Sequence, residues 1–321
     1  KDLHVWYKVY DGYLKVLNGV QLKVHEGERV GLVGEAGCGK TTTMKSILQI
    51  LPPGGFNIPR GEIFYKGHDI LKMRLNEIQR IRSKEIAMIF QDSSAALNPV
   101  FNIGTQIGDI VKYSSAFSFK KNKQKKKIKE ISIRAMKEVY LPDPERICNN
   151  YPFQLSGGMK QRVCIAMSIT SSRNLILADE PGTSLDVTIQ DQIMRLLGDI
   201  VEKKKTSIIL ITHSLGVAKE LTDRIYVMYA GTIVETATSE ILFNNPVHPY
   251  TIGLIAAVPK ISGGGITKGI LGKIPNYLKP PSGCRFHPRC EHATPICSEK
   301  PPSLVEIEKG HQVACYKYRD K

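Results

Sequence analysis

The stretch Gly34-Glu35-Ala36-Gly37-Cys38-Gly39-Lys40-Thr41 sets glycines, a lysine and a hydroxyl at the spacing G-x-x-x-x-G-K-[ST], and Thr42 adds a second hydroxyl. Residues of these types suit one task, holding a triphosphate. Glycines let the backbone curl until successive N–H groups and a helix N-terminus face an anion. Lys40 adds a point charge for the terminal phosphates, and the Thr41 hydroxyl can ligate Mg²⁺. A purely structural glycine turn requires neither the Lys-Thr pair nor a helix after it. Cys38 puts a thiol inside the loop, where a bound triphosphate is expected to shield it from thiol reagents.

A second chemical group follows a short apolar run, Leu175-Ile176-Leu177-Ala178, which ends in Asp179-Glu180. A strand here delivers two carboxylates to the carboxyl edge of a sheet, where a phosphate loop also lies. Asp179 then suits the Mg²⁺ shell and Glu180 the polarisation of an attacking water. Acidic residues at strand ends are common and usually only solvated, so the weight of this pair comes from its partnership with the loop.

The remaining chemistry-bearing cluster is Cys284-x5-Cys290-x6-Cys297-x17-Cys315, set among Pro280, Pro281, Pro288, Pro295, Pro301 and Pro302. This segment has too few apolar residues for a core of its own, and a metal staple is the economical reading. Four cysteines suit zinc or a four-iron cluster, and no C-x-x-C pair of the zinc-ribbon kind is present.

Elements must position these groups. Val30 to Val33 reads as a strand entering the glycine loop, and Thr42 to Leu51 as the helix leaving it, stopped by Pro52-Pro53-Gly54-Gly55. Leu22 to Val24, Glu62 to Tyr65 and Ile86 to Phe90 read as further strands. The stretch from Asn98 to Leu155 is polar and helical. Strand signals return at Leu175 to Ala178 and Ile208 to Thr212 around a helical segment, Gln190 to Lys204, giving the rhythm of a mostly parallel sheet. Proline and glycine rise after Asn244, where a boundary is expected.

Composition sets outer limits. A chain of 321 residues with 42% apolar content supports about two domains. No run approaches the roughly 18 apolar residues of a membrane span, and Lys1 to Tyr10 lack an apolar signal core, so a cytoplasmic protein is expected. Three of the seven cysteines are scattered (Cys38, Cys148, Cys164), so no disulfide framework spans the chain. The net charge of +15 admits nucleic acid, anionic lipid or phosphate ligands. Its densest run, Lys120 to Lys129, lacks interleaved aromatics and reads first as a solvated surface.

Leu155-Ser156-Gly157-Gly158-Met159-Lys160-Gln161-Arg162 resembles the signature of ATP-binding cassette (ABC) ATPases. Gln91 at a strand end, the signature, Asp179-Glu180, Ser184-Leu185-Asp186 and His213 after an apolar strand follow the family's order. The resemblance implies an α/β fold: a phosphate-loop (RecA-like) core with a parallel sheet, an antiparallel β subdomain, a helical subdomain and a cysteine-containing extension. Residues 1–91 and 159–244 would form the core, 92–158 the helical subdomain and 245–321 the extension. It further implies ATP and Mg²⁺ as cofactors, held by Gly34, Gly37, Cys38, Gly39, Lys40, Thr41 and Thr42, with Thr41, Gln91 and Asp179 on the metal. Glu180, His213 and Gln91 would be catalytic, and Tyr7, with Tyr10 close by as the alternative, would stack on adenine. Ser156, Gly157 and Gly158, ahead of a helix from Met159 onward, would present N–H groups and a hydroxyl to the nucleotide of a second cassette, with Asp186 nearby.

Phe90-Gln91-Asp92, Leu97-Asn98-Pro99, Leu185 to Gln190 and Asn245 to Thr251 are similar to the ATPase subunits of dipeptide and oligopeptide importers. Gly182, where threonine is usual, and Cys38, where serine is commoner, depart from that pattern without removing a phosphate or magnesium ligand. The importer resemblance implies two transmembrane permease subunits, a second and related ATPase subunit, an extracytoplasmic peptide-binding protein, no nucleic acid, and a peripheral place on the cytoplasmic face of the membrane. It favours a [4Fe–4S] cluster on Cys284, Cys290, Cys297 and Cys315, with zinc, using His287 or His311, as the alternative and free thiols third. A nickel importer is the nearest rival. A soluble nucleic-acid-linked ATPase lacks support from a coiled-coil insertion or a second cassette, and a non-hydrolysing regulatory module is disfavoured by Lys40, Glu180 and His213.

Overall fold

A computed structural model describes residues 1–114, 121–257 and 269–318. Lys120, at the head of the basic run, lies outside the described residues, as do the side chains of 121–124. The chain divides into two compact units: Lys1–Val24 with Arg29–Met73 and Ile211–Lys321, and His25–Glu28 with Arg74–Leu210.

In the first unit, Leu3–Val9 and Gly12–Val20 form an antiparallel hairpin, with the short strand Phe56–Asn57 on its other edge. Arg29–Val33 runs parallel to Arg224–Tyr229, which pairs antiparallel with Thr232–Thr238. Continuous apolar runs suit strands buried on both faces, and Val30 to Val33 and Ile225 to Tyr229 are buried throughout. Ala230 and Gly231 make the tight turn, both at positive φ. A Cβ on Gly231 would lie 1.8 Å from the Val16 carbonyl, so glycine is obligatory there.

The residues after Asn244 are part of this same unit. His311–Val313 adds to the edge of Thr232–Thr238, and Val305–Glu308 adds to His311–Val313. Phe286, 4% exposed, packs edge-on against Tyr229 and beside Tyr250. The tail therefore shares the unit's apolar core, and burying one aromatic of this size contributes about 1.5–3 kcal/mol.

In the second unit, Ser207–Ile211, Leu175–Asp179 and Ile86–Ile89 lie side by side in that order. Around them stand Leu75–Lys84, Ile103–Ser114, Lys121–Glu138, Gly157–Ile169 and Val187–Lys204. The helical reading of the region after Asn98 and the strand readings at Ile86 and Leu175 hold in this geometry.

Three element readings change, the first being Glu62 to Tyr65, which shortens to the two-residue strand Phe64–Tyr65. Leu22 to Val24 is not a strand, because side chains take up its backbone: Lys23 N donates to the Tyr226 hydroxyl, and Lys23 O accepts from Arg224 Nη2. The helix after the phosphate loop spans Lys40–Ile47 and stops short of Leu51, since Gln49 takes a left-handed conformation (φ 50°) and turns the chain.

Candidate functional site

The phosphate loop lies in the first unit, between Arg29–Val33 and Lys40–Ile47. Its glycines are demanded by geometry. A Cβ on Gly34 would fall 2.1 Å from the Met228 carbonyl, and one on Gly39 would fall 2.7 Å from Leu17 Cδ2, both at positive φ. Gly39 stands at the N-cap and has no side chain of its own to take up the first-turn amides, the donors an anion uses. Lys40 is 4% exposed and folds over the loop, with Nζ donating to Gly34 O at 2.8 Å and Glu35 O at 3.0 Å.

Tyr7 reaches this region from the hairpin, its hydroxyl 3.3 Å from Thr42 Oγ1. Tyr10 lies at the hairpin turn, fully exposed. His213 is exposed, directly before Ser214, the N-cap of Leu215–Leu221.

Cys38 does not present a reachable thiol. It is 0% exposed, and its Sγ turns under the loop, about 3.0 Å from where a Cβ of Gly34 would stand. Burial pushes the thiol pKa up, so the nucleophilic thiolate is suppressed. The expected shielding by ATP depends on a reachable thiol, and this thiol is buried.

In the second unit Asp179 is 3% exposed and Glu180, at the strand end, 7%. Glu180 takes a left-handed conformation (φ 48°), and its Oε2 accepts from Gln91 Nε2 at 2.9 Å and Thr183 Oγ1 at 3.1 Å. Sequence order thus becomes a physical contact between the Gln91 loop and the carboxylate. Ser156 caps Gly157–Ile169, accepting from Met159 N at 3.3 Å, so the helix begins at the signature glycines, two residues before Met159. Gly157 and Gly158 lie close to the next segment: a Cβ on each would meet Leu185 Cδ2 at 3.1 Å and Ile189 Cγ2 at 2.8 Å. Asp186 caps Val187–Lys204 through Ile189 N at 2.9 Å, which sets the signature beside the segment that follows Ser184.

Sequence reading missed the tail's hold on the phosphate loop, all within the first unit. The Tyr250 hydroxyl accepts from Glu35 N at 2.9 Å, and the Tyr277 hydroxyl donates to Gly37 O at 2.8 Å. Arg289 Nη1 reaches both Glu35 carboxylate oxygens, at 3.0 and 3.1 Å. Arg285 Nη1 donates to Lys15 O at 2.9 Å, and burial lowers its pKa to about 10.

The four tail cysteines line one cavity of about 520 Å³, together with Phe286 and His287. Cys284 N donates to Cys297 O at 2.7 Å, which joins two of the cysteine segments. Burial raises the Cys284 thiol to about 11, with Cys297 and Cys315 adding to the effect, and also raises Cys290 and Cys315. Among the described residues no three His, Cys, Asp or Glu side chains converge closely enough for a single metal ion. His311 is absent from the cavity wall. It is 0% exposed, with Nε2 2.8 Å from Glu235 Oε1, so its place in the zinc alternative is corrected. Glu235 also accepts from Val247 N and His248 N, both at 2.9 Å.

The ABC transporter family profile matches residues 17–183, and a profile for the oligopeptide/dipeptide transporter C-terminal region matches 234–297. The chain is 41% identical over 99% of its length to a probable peptide ABC transporter ATP-binding protein, y4tR, of Sinorhizobium fredii, covering 93% of that protein. It is 40% identical over 99% of its length to the oligopeptide transport ATP-binding protein OppD of Escherichia coli, covering 92% of it. Among solved structures, the dimeric post-hydrolysis state of an ATP-binding cassette bound to ADP and Pi superposes with a TM-score of 0.65 at 26% identity, over 74% of this chain and 97% of that one. With a glycine loop shaped for phosphates, a capped signature helix and this similarity over nearly its whole length, the chain belongs to the ABC transporter family.

Proposed function

We propose that the chain is the ATP-hydrolysing subunit of an importer for dipeptides or oligopeptides. The observation that carries this reading is the pairing of the phosphate-loop region with a C-terminal segment, 234–297, of the oligopeptide/dipeptide transporter type. In this reading the Gly34, Gly37, Cys38 and Gly39 backbone and Lys40 hold the triphosphate, while Thr42 supports the loop and Tyr7 takes the adenine. Thr41, Gln91 and Asp179 would hold Mg²⁺, which supplies charge neutralisation at the phosphates. Glu180 would polarise the water, oriented by its hydrogen bond from Gln91, and His213 would be the third catalytic residue. Ser156, Gly157, Gly158 and Asp186 serve the nucleotide of a second, related cassette. Residues 1–91 and 159–244 serve as the nucleotide core, 92–158 as the helical subdomain and 245–321 as the extension.

Among the described residues no helix is long and apolar enough to cross a membrane. Two permease subunits, with an extracytoplasmic peptide-binding protein, complete the system, and this subunit works at the cytoplasmic face. Exposed Val100, Phe101, Tyr140 and Phe153 in the second unit offer apolar surface of the kind a partner protein covers. Nucleic acid has no part in it.

Four tail cysteines share one cavity, and the resemblance to peptide-importer subunits favours an iron–sulfur cluster there over zinc. Cys284, Cys290, Cys297 and Cys315 would hold a [4Fe–4S] cluster whose thiolate bonds staple a segment with little core of its own.

The test is to isolate the chain with its co-purifying membrane subunits, insert the complex into liposomes and measure ATP-dependent uptake of a labelled tripeptide. Uptake supports the reading. ATP-driven entry of nickel without peptide entry would shift the substrate to the metal-importer branch, and hydrolysis stimulated by nucleic acid would overturn transport altogether.

A further inference from the structure

Glu35 places a carboxylate within the phosphate loop, a costly neighbour for a triphosphate unless a cation offsets it. Arg289 is that cation. Its Nη1 contacts both oxygens of Glu35, and its side chain is 7% exposed against 28% for Glu35. The guanidinium has no freedom to leave. Nε donates to Leu271 O at 2.7 Å, Nη2 to Ile270 O at 3.1 Å and Nη1 to the Tyr229 hydroxyl at 3.3 Å, and the group lies 5.6 Å from the Tyr229 ring centroid. A planar group with this many fixed partners is a rigid charge.

Glu35 is held as firmly. Its amide donates to Tyr250 and its carbonyl accepts from Lys40, the residue that contacts phosphate in this fold. The position of the Glu35 carboxylate and the position of the Lys40 ammonium are thus set at one residue. Two residues on, Tyr277 holds Gly37 O. Of the contacts that Tyr250, Tyr277 and Arg289 make with the loop, the one from Arg289 carries charge.

We propose that Arg289 is a positioning residue of the nucleotide site: it neutralises Glu35 and so makes the phosphate loop receptive to the triphosphate. The proposal rests on the reading of Gly34 to Thr41 as the ATP loop. Without Arg289 the carboxylate stays in the phosphate loop, uncompensated and partly desolvated. Without Glu35 the arginine adds a cation to the loop's surroundings. The two substitutions therefore have opposite effects on nucleotide affinity, which a purely mechanical tie would not produce.

The experiment measures the Kd of the full-length chain for a non-hydrolysable ATP analogue with magnesium. R289Q is expected to weaken binding about tenfold, equivalent to about 1.4 kcal/mol, and this loss should shrink at high salt. R289K, which keeps the charge, is expected to fall between wild type and R289Q. The double variant E35Q/R289Q is expected to recover to within about threefold of wild type, although it lacks the same arginine. E35Q alone should bind about twofold tighter or better, and it tests the idea even if R289Q fails to fold. Unchanged affinity in R289Q, a double variant as weak as R289Q, or an E35Q that binds less tightly than wild type each overturns the proposal. Failure of the wild-type chain to bind the analogue would instead remove the ATP reading on which it stands, and the proposal with it.

Discussion

Gln91 Nε2 donates to Glu180 Oε2 at 2.9 Å, so a residue two past the end of Ile86–Ile89 orients the carboxylate that directly follows its parallel neighbour, Leu175–Asp179. Thr183 Oγ1 takes up the same oxygen, fixing the carboxylate's rotation. A carboxylate so held suits polarisation of a water. Glu180→Gln should therefore retain ATP binding while turnover falls by about 10²–10⁴, and the protein should accumulate as ATP-bound dimers. Phosphate release and gel filtration with ATP measure both effects; wild-type turnover in the variant would remove Glu180 from the role.

Ser156 is exposed and caps a helix in the unit that does not contain the phosphate loop. If it serves a partner's nucleotide, Ser156→Arg should abolish hydrolysis while the isolated chain still binds ATP. Equilibrium binding and steady-state ATPase separate the two defects. Loss of binding by the folded variant would contradict a composite site.

Cys38 is buried beneath the loop with its thiol pKa raised. At pH 8 a thiol reagent should leave Cys38 unmodified, with or without ATP, as read by mass spectrometry of the labelled peptides. Rapid labelling that ATP blocks would mean that the loop opens in solution.

Four thiols around one cavity make a specific demand on composition. Protein purified without oxygen should be brown, with iron and acid-labile sulfide in nearly equal amounts. Cys297→Ser should lower the protease resistance of the tail before it changes ATP affinity. Stoichiometric zinc without iron would exclude the cluster.

His248 is 2% exposed and caps Pro249–Ala256 through Tyr250 N at 3.0 Å, and burial lowers its pKa to about 3. The folded state holds this imidazole neutral, whereas the unfolded chain takes a proton near pH 6.5. Its contribution is thus fully present above pH 6.5 and declines as pH falls toward 3, by at most about 5 kcal/mol. His248→Asn keeps a capping side chain and removes the titration, so denaturant unfolding from pH 7 to pH 4 should lose less stability in the variant than in the wild type. Equal slopes in the two proteins would assign the acid sensitivity elsewhere.

The phosphate loop was legible because its chemistry is local: consecutive amides, one lysine and one hydroxyl suffice, and their spacing along the chain is their spacing in space. The same holds for Leu175 to Glu180, where a strand delivers its last residues to a sheet edge. The Leu3–Val9 and Gly12–Val20 hairpin is hard to read because its faces are only partly buried and give a weak alternation, and Leu22-Lys23-Val24 alternates like a strand although side chains from elsewhere take up its backbone. What tertiary structure alone decided is how the tail is used. Glu35 and Arg289 are separated by 254 residues, and no periodicity relates them. Glu235 and His311, 76 residues apart, meet only because a tail strand joins the edge of Thr232–Thr238. The sequence by itself determined which chemistry the chain carries, since motif residues act through neighbours on the chain. Only folding determined which distant charges surround that chemistry, because ion pairs are chosen by proximity in space and by burial.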